Sequence, residues 1–437
     1  MIAGLAGVAS SARAEVSSPP AVDLPDTLTL EDALRIFRAR GFDLLIAEAA
    51  VRSAEADTHV AGAVPNPIVS AGYGRVLAPY NPDADTCVPR GSCSANQWTL
   101  GLSDNGAILD SVSGKRGLRK DVAGAALKAA KMSRVDAGRV LEFDIKQQYY
   151  QALQARAAYD FAREVQDGAT KTLELNRLRY PRVIDEGALA RVETAKLEAD
   201  AAVDKTEQDL RLAKVQLAYL LGVRGRVPDF KVDPALIRYS VPPSLQAPDA
   251  GSLLRDAFDH RADLRALGFQ RARAEAAIAL ARRQRFPDVA VSVQYSQTGI
   301  GQSAIQPPTL GVGISAPIPL FYQQQGEIRR AEADATSQGL QLGKLEAQVV
   351  SDVEAAVATY TTSRKLVERM ESGLLERARK ARDITKLQFD AGAAPLMDYL
   401  DAQRTFIAAN LEYIQDLTAY WTAVAQLEAA VGMEFRK

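Results

Sequence analysis

Residues 321–435 hold a single proline, Pro395, and one obvious interruption, Phe389-Asp390-Ala391-Gly392-Ala393-Ala394-Pro395. On either side of it the apolar residues keep helical spacing. Ile407, Leu411, Ile414, Leu417, Trp421, Val424, Leu427 and Val431 advance in steps of three or four. That is an amphipathic stripe sustained far beyond an ordinary globular helix. Read as one helix, Glu327 to Phe389 is ~60 residues long and reaches ~90 Å at ~1.5 Å per residue. A periodic pattern of that length means a coiled coil, a membrane span or a helical repeat. Charges scattered along it, among them Arg329, Glu332, Asp334, Glu354, Arg377 and Lys380, exclude a membrane span. The stretch therefore predicts a very long antiparallel helical hairpin with a sharp tip.

The same plan occurs earlier. Gly114 to Tyr180 is free of proline, breaks at Tyr180-Pro181-Arg182-Val183-Ile184-Asp185-Glu186-Gly187, and resumes from Ala188 to Leu221. Gly187 then corresponds to Gly392, and Asp144-Ile145 to Asp352-Val353. Upstream, Asp32-Ala33-Leu34 recurs as Asp256-Ala257-Phe258. Asp43-Leu44 recurs as Asp263-Leu264, Ala54-Glu55-Ala56 as Ala274-Glu275-Ala276, and Pro67 as Pro287, the last three at one offset of 220 residues. Chance similarity between alanine-rich helices explains one such match, not an ordered series, so the chain reads as a duplication.

Between each short helix and its long hairpin lies a Pro-bounded pair of strands. Ile68 to Leu77 and Gln97 to Leu102 form the first pair; Asp288 to Tyr295 and Thr309 to Ser315 form the second. Apolar residues alternate with Gly, Ser, Thr or Gln. A soluble sandwich would give the same alternation, but two hairpins cannot make a core alone. Strands of about 10 residues suit a membrane-spanning barrel. Four strands are too few to enclose a lumen, so several subunits must contribute.

The remaining features fit an exported protein. Met1 to Ala14 resembles the end of a secretory signal, with Ala12-Arg13-Ala14 as a small-x-small cleavage site, though it has no positive n-region. Cys87 and Cys93, within Cys-Val-Pro-Arg-Gly-Ser-Cys, are expected to close the first strand loop as a disulfide. A metal there is the lesser alternative, because two thiols without a nearby histidine supply too few ligands. Formal charge −1 and 24% charged residues exclude a basic nucleic-acid binder. Only His59 and His260 exist, and no Gly-rich phosphate loop is present, so neither an enzyme nor a cofactor site is expected. The Arg282-Arg283-Gln284-Arg285 cluster before the third strand reads as a solvated helix end or, less favoured, as a contact for lipid head groups.

Leu30-Glu31-Asp32-Ala33-Leu34, Phe286-Pro287-Asp288-Val289, Ala316-Pro317-Ile318-Pro319-Leu320-Phe321, and Phe389-Asp390-Ala391-Gly392 through Met397 to Gln403 resemble the outer-membrane efflux protein family typified by TolC. The resemblance covers essentially everything after residue 28. Arg261-Ala262-Asp263-Leu264 and Pro287-Asp288-Val289 are most similar to the outer-membrane subunits of cobalt–zinc–cadmium type cation exporters. The family's lipidated branch usually carries an N-terminal cysteine, which this chain does not have.

The resemblance implies a mainly α fold with a β membrane part. Duplicated helical hairpins would build a trimeric α-barrel, and four strands per chain would contribute to a 12-stranded barrel in the outer membrane. A periplasmic adaptor and an inner-membrane pump of the RND type would supply substrate and energy to this passive duct. The cargo is expected to be small substrates, including metal cations. A type I protein secretion or multidrug role is the alternative, and a coiled-coil stalk or the adaptor itself a lesser one.

Expected segments are 1–14 (signal remnant), 15–64 (N-terminal segment and helix), 65–112 (first β-hairpin) and 113–222 (first long hairpin, tip 181–187). They continue with 223–251 (linker), 252–286 (helix), 287–320 (second β-hairpin) and 321–437 (second long hairpin, tip 389–395). Function is expected at the tips, through Asp185, Glu186 and Gly187 on one and Asp390, Gly392 and Asp398 on the other. Each acid would occur three times around an axis, a ring that attracts cations. For any single acid, helix capping is the competing reading, and the glycines serve the turns. Tyr180, Arg182 and Arg191 are candidate latches.

Overall fold

The computed structural model describes residues 24–75, 96–182, 184–234, 238–298 and 308–435. The expected signal remnant and the Cys87–Cys93 pair lie outside these residues. The chain divides into two compact units, residues 1–45, 138–248 and 355–437 in the first and residues 46–137 and 249–354 in the second.

The helices follow the apolar periodicity. Strand β1 (Thr27–Leu28) leads into α1 (Leu30–Arg40), capped by Thr29, whose side chain accepts from the Asp32 amide at 3.0 Å. Helix α2 (Phe42–Gly62) follows at once. The sequence predicts one continuous helix here; the structure breaks it at Gly41. Gly41 sits so close to Phe37 that an added Cβ would come 2.5 Å from the ring and 2.8 Å from the Phe37 carbonyl oxygen.

After β2 (Ile68–Arg75) and β3 (Asn96–Ser103) comes a short helix α3 (Ala107–Val112), which the sequence reading does not anticipate. Helix α4 (Lys115–Arg179) runs 65 residues without a break, and α5 (Glu186–Leu220) returns. Beyond them, β4 (Lys231–Val232) pairs in parallel with β1.

The second copy repeats the elbow. Helices α6 (Ala250–His260) and α7 (Ala262–Arg283) meet at Arg261, where one helix was expected. Strands β5 (Ala290–Thr298) and β6 (Thr309–Ser315) follow. The expected single helix after them is two, α8 (Gln325–Arg369) and α9 (Leu375–Asp390), joined by a π-helical turn at Met370–Leu374. Gly373 within that turn has non-helical backbone at φ 174°, a kink between two runs of regular helix. Helix α10 (Leu396–Val431) ends on Gly432 at φ +82°.

The core of the first unit is aromatic. Tyr149, Tyr360 and Tyr420 are fully buried, and each donates its hydroxyl to a backbone oxygen: to Leu28 at 3.1 Å, Leu245 at 2.8 Å and Ser240 at 2.9 Å. A buried phenol needs such a partner. The hydroxyls thereby tie the irregular segments onto the long helices.

In the second unit the four long strands form one antiparallel sheet in the order β2-β3-β5-β6. The register aligns Ala71, Leu100, Tyr295 and Leu310 in one row and Val69, Leu102, Val293 and Val312 in the next. Ser70, Gly101, Gln294 and Gly311 form a row on the opposite face. One face is therefore aliphatic and aromatic and the other small or polar. The described residues do not cover the apolar face: Leu310, Val312 and Ile314 are 73%, 74% and 75% exposed. Among the described residues, β2 and β6 each have one unpaired edge.

Candidate functional site: the hairpin tips and the bare sheet

The two tips belong to the first unit and share one apolar cluster. Leu173 from α4, Val192 from α5, Phe389 from α9, and Leu396 and Tyr399 from α10 are all buried together. Phe389 and Tyr399 stack with ring centroids 5.8 Å apart and planes 7° from parallel. Arg179 closes the junction from the end of α4. Its guanidinium lies 5.5 Å from the centre of the Phe389 ring, and Nη2 donates to the Asp390 carbonyl at 3.2 Å. The same Nη2 is 3.9 Å from the Asp390 carboxylate, which Lys386 also binds at 2.9 Å.

The six candidate residues take different positions. Asp185 caps α5, its Oδ1 accepting from the Ala188 amide at 2.6 Å, so its carboxylate is committed to the turn. Glu186 and Gly187 begin α5 and are exposed. Asp390 ends α9 as the acceptor for Arg179 and Lys386. Gly392 adopts φ +73°, a left-handed turn that favours glycine. Asp398 lies exposed in the first turn of α10 and has no ion-pair partner among the described residues. The tips come together through the apolar cluster and Arg179; no hydrogen bond joins Asp185 or Glu186 to Asp390 or Asp398 among the described residues.

Sequence reasoning named Tyr180, Arg182 and Arg191 as latches and missed Arg179, which makes the cross-hairpin bond. Its place in the last turn of α4 was a signal, because a cation there suits the helix terminus, but its partner is 211 residues away. Asn176 was also missed. It is fully buried, its Nδ2 donates to the Thr172 carbonyl at 2.7 Å, and its Oδ1 has no partner among the described residues. An unmade buried hydrogen bond costs about 1–3 kcal/mol. Beside the cluster an apolar groove of about 380 Å³ opens between α4, α5 and α10, walled by Val165, Ala195 and Ile407 and flanked by Arg404 and Glu198 at 3.8 Å.

No described helix is long and apolar enough to cross a membrane. The uncovered apolar surface is on the sheet. Residues 253–433, which include β5, β6 and the whole second hairpin, match the family model described as "Outer membrane efflux protein". Over that span the chain is similar to the outer membrane efflux protein family.

Two curated relatives extend the match to both halves. The pyoverdine export outer membrane protein OpmQ of Pseudomonas aeruginosa is 26% identical, covering 90% of this chain and 81% of its own. The cobalt-zinc-cadmium resistance protein CzcC of Cupriavidus metallidurans is 23% identical, over 93% and 90%. The fold is that of the outer membrane protein VceC from Vibrio cholerae, with a TM-score of 0.71 at 20% identity over 93% of this chain and 97% of that one. Proteins of that family are passive channels of the outer membrane that extend into the periplasm, and not enzymes.

Proposed function

We propose that this protein is the exit duct of a tripartite efflux system. Three copies form the channel, each giving four strands to a 12-stranded barrel in the outer membrane. The observation that carries this reading is the sheet in the second unit, with a registered apolar face left bare and both edges unpaired among the described residues. In water such edges and such a face invite aggregation. In a closed barrel, lipid covers the face and neighbouring copies pair the edges. Four strands per chain meet the need for a lumen only when several chains join.

The helical hairpins of the three copies extend the duct through the periplasm, and the tips face the pump. The groove between α4, α5 and α10 is the docking place for a periplasmic adaptor, which links the duct to an inner-membrane pump of the RND type. Arg179 with Asp390 holds each tip closed, and the unpaired Asn176 oxygen makes that state one the tip can leave. Asp398 and Glu186, exposed and without ion-pair partners among the described residues, supply rings of negative charge that favour cations. The cargo is of small size. The names of CzcC and OpmQ point to metal resistance and to pyoverdine export, and the acidic rings favour metal cations among these cargoes.

The test is conductance of the purified protein in a planar bilayer, with Asp390→Ala and Asp398→Ala alongside. Discrete conducting steps are expected, with cation preference reduced in Asp398→Ala and a longer open time in Asp390→Ala. Unchanged behaviour in both variants would remove the gate. Absence of any conducting step in the native and variant proteins would remove the channel.

A further inference from the structure

At the helix-bearing end of the sheet the structure forms a second feature, which the duct itself does not need. The register pairs Ala290 with Ser315, so the segments that enter β5 and leave β6 meet at this end. They are the Phe286-Pro287-Asp288 and Pro317-Ile318-Pro319 stretches, and between them and α4 lies an open groove of about 550 Å³. Its floor is basic. Lys115 and Arg119, one turn apart on α4, both line it. The first turn of α4 contains no acid to oppose an anion. Lys115 is buried and donates to the Phe286 carbonyl at 2.6 Å and to Asp288 at 2.8 Å, which uses two of its three N–H groups among the described residues. Arg119 is held in place by both oxygens of Asp110 at 2.7 Å.

The arginine cluster before β5 resolves into three different roles. Arg282 pairs with Glu332 at 2.8 Å, and Arg283 donates to the Ser113 carbonyl at 2.6 Å and lies over the Phe286 ring. Arg285 lines the groove and has no ion pair among the described residues. With Asp288 the one acid in the lining, the groove carries a surplus of positive charge.

The rim is apolar and bare. Ile318 is 75% exposed and Phe321 is 99% exposed, a few residues beyond the end of β6. An exposed Tyr322 stands beside them. Aromatic residues at the edge of an apolar band mark the level of lipid head groups. Basic groups beside such a band attract anionic lipids.

We infer that this groove binds the phosphate of an anionic glycerophospholipid from the periplasmic leaflet, with Arg285 and Lys115 on the phosphate and the acyl chains along Ile318 and Phe321. The inference rests on the reading of the sheet as lipid-facing. It adds a chemically specific site on each chain where that reading requires only hydrocarbon. A free phosphate would gain nothing from the apolar rim, so the lipid is the assigned occupant.

The experiment titrates the full-length protein in detergent with phosphatidylglycerol or phosphatidylcholine and counts bound lipid by native mass spectrometry. The fluorescence of Trp98, on the apolar face, is followed in vesicles of brominated phosphatidylcholine. Phosphatidylglycerol is expected to bind preferentially. A charge near the lipid surface is worth a factor of about five, so Arg285→Gln should weaken the preference about fivefold and Arg285→Glu about thirtyfold. Arg255→Glu makes the same charge change on α6, outside the groove lining, and should leave the preference intact. Quenched Trp98 with no phosphatidylglycerol preference, or equal loss in Arg255→Glu, would overturn the site while leaving the sheet in lipid. Displacement of the lipid by equimolar inorganic phosphate would overturn the lipid assignment. Unquenched Trp98 would overturn the lipid-facing sheet and the site together.

Discussion

The two halves of the chain make the same turn with different chemistry. At the first elbow, between α1 and α2, Gly41 packs its backbone against the buried Phe37 ring, and no side chain would fit. At the second, between α6 and α7, Arg261 fills the position and is only 4% exposed. Its guanidinium holds Asp263 at 2.7 and 3.2 Å and reaches Asp352 on α8 at 3.0 Å. The acids have counterparts in the first half, Asp43 and Asp144, but the arginine does not. Burial, and after it the nearby charge of Asp43, push the Asp144 carboxyl above its ordinary range. Duplication thus kept the bend and the carboxylates while one copy is stabilised by charge and the other by close packing.

Removing the cation should break the comparison most severely. Arg261→Ala leaves Asp263 and Asp352 without their shared counter-ion, and breaking a buried pair costs about 3 kcal/mol. A lower urea midpoint for loss of helical signal would show it. Gly41→Ala comes next, at about 2 kcal/mol, because the new methyl meets the Phe37 carbonyl as well as its ring. An unchanged midpoint in Gly41→Ala would mean that the first elbow is not held by packing.

The buried tyrosines sharpen the contrast at a smaller scale. Tyr149→Phe and Tyr360→Phe each lose a hydroxyl bond to a backbone oxygen, worth about 1 kcal/mol. The two losses should be similar, since each oxygen keeps a second donor: the Asp233 amide at 3.0 Å for Leu28 and Arg364 at 3.4 Å for Leu245. An unchanged midpoint in either variant would mean that its hydroxyl does not hold the irregular segment to the helix.

The smallest effect is expected at Asp144. A carboxyl whose folded pKa lies above its unfolded one favours the fold when protonated and weakens it once ionised. Asp144→Asn should therefore raise the midpoint at neutral pH, and the gain should vanish as pH falls through the carboxylate range. A gain that persists in acid would point to a cause other than charge.

Much of this was legible in the sequence because it is periodic. The long hairpins follow from apolar steps of three and four, and the strands from alternation, as at Leu310, Val312 and Ile314. The cap at Asp185 was readable from residue type and place. The elbows were not, because a one-residue break at Gly41 or Arg261 leaves helical spacing on both sides, and the π-helical turn at Met370–Leu374 hides for the same reason. At the tips, local sequence located the acids and glycines. It did not reveal that Arg179 meets Asp390 or that Asn176 is buried, because both depend on residues brought together from distant parts of the chain.

The central claim is that the bare edges of the sheet meet in neighbouring copies. It is tested most directly by placing cysteines at Ala71 on β2 and Val312 on β6, with Cys87 and Cys93 replaced by serine, and treating outer membranes with a flexible bismaleimide. The account predicts cross-linked species of two and three chains that stop at three, with no ladder from either single cysteine. A protein that stays monomeric, or a ladder that runs on past three, would contradict it.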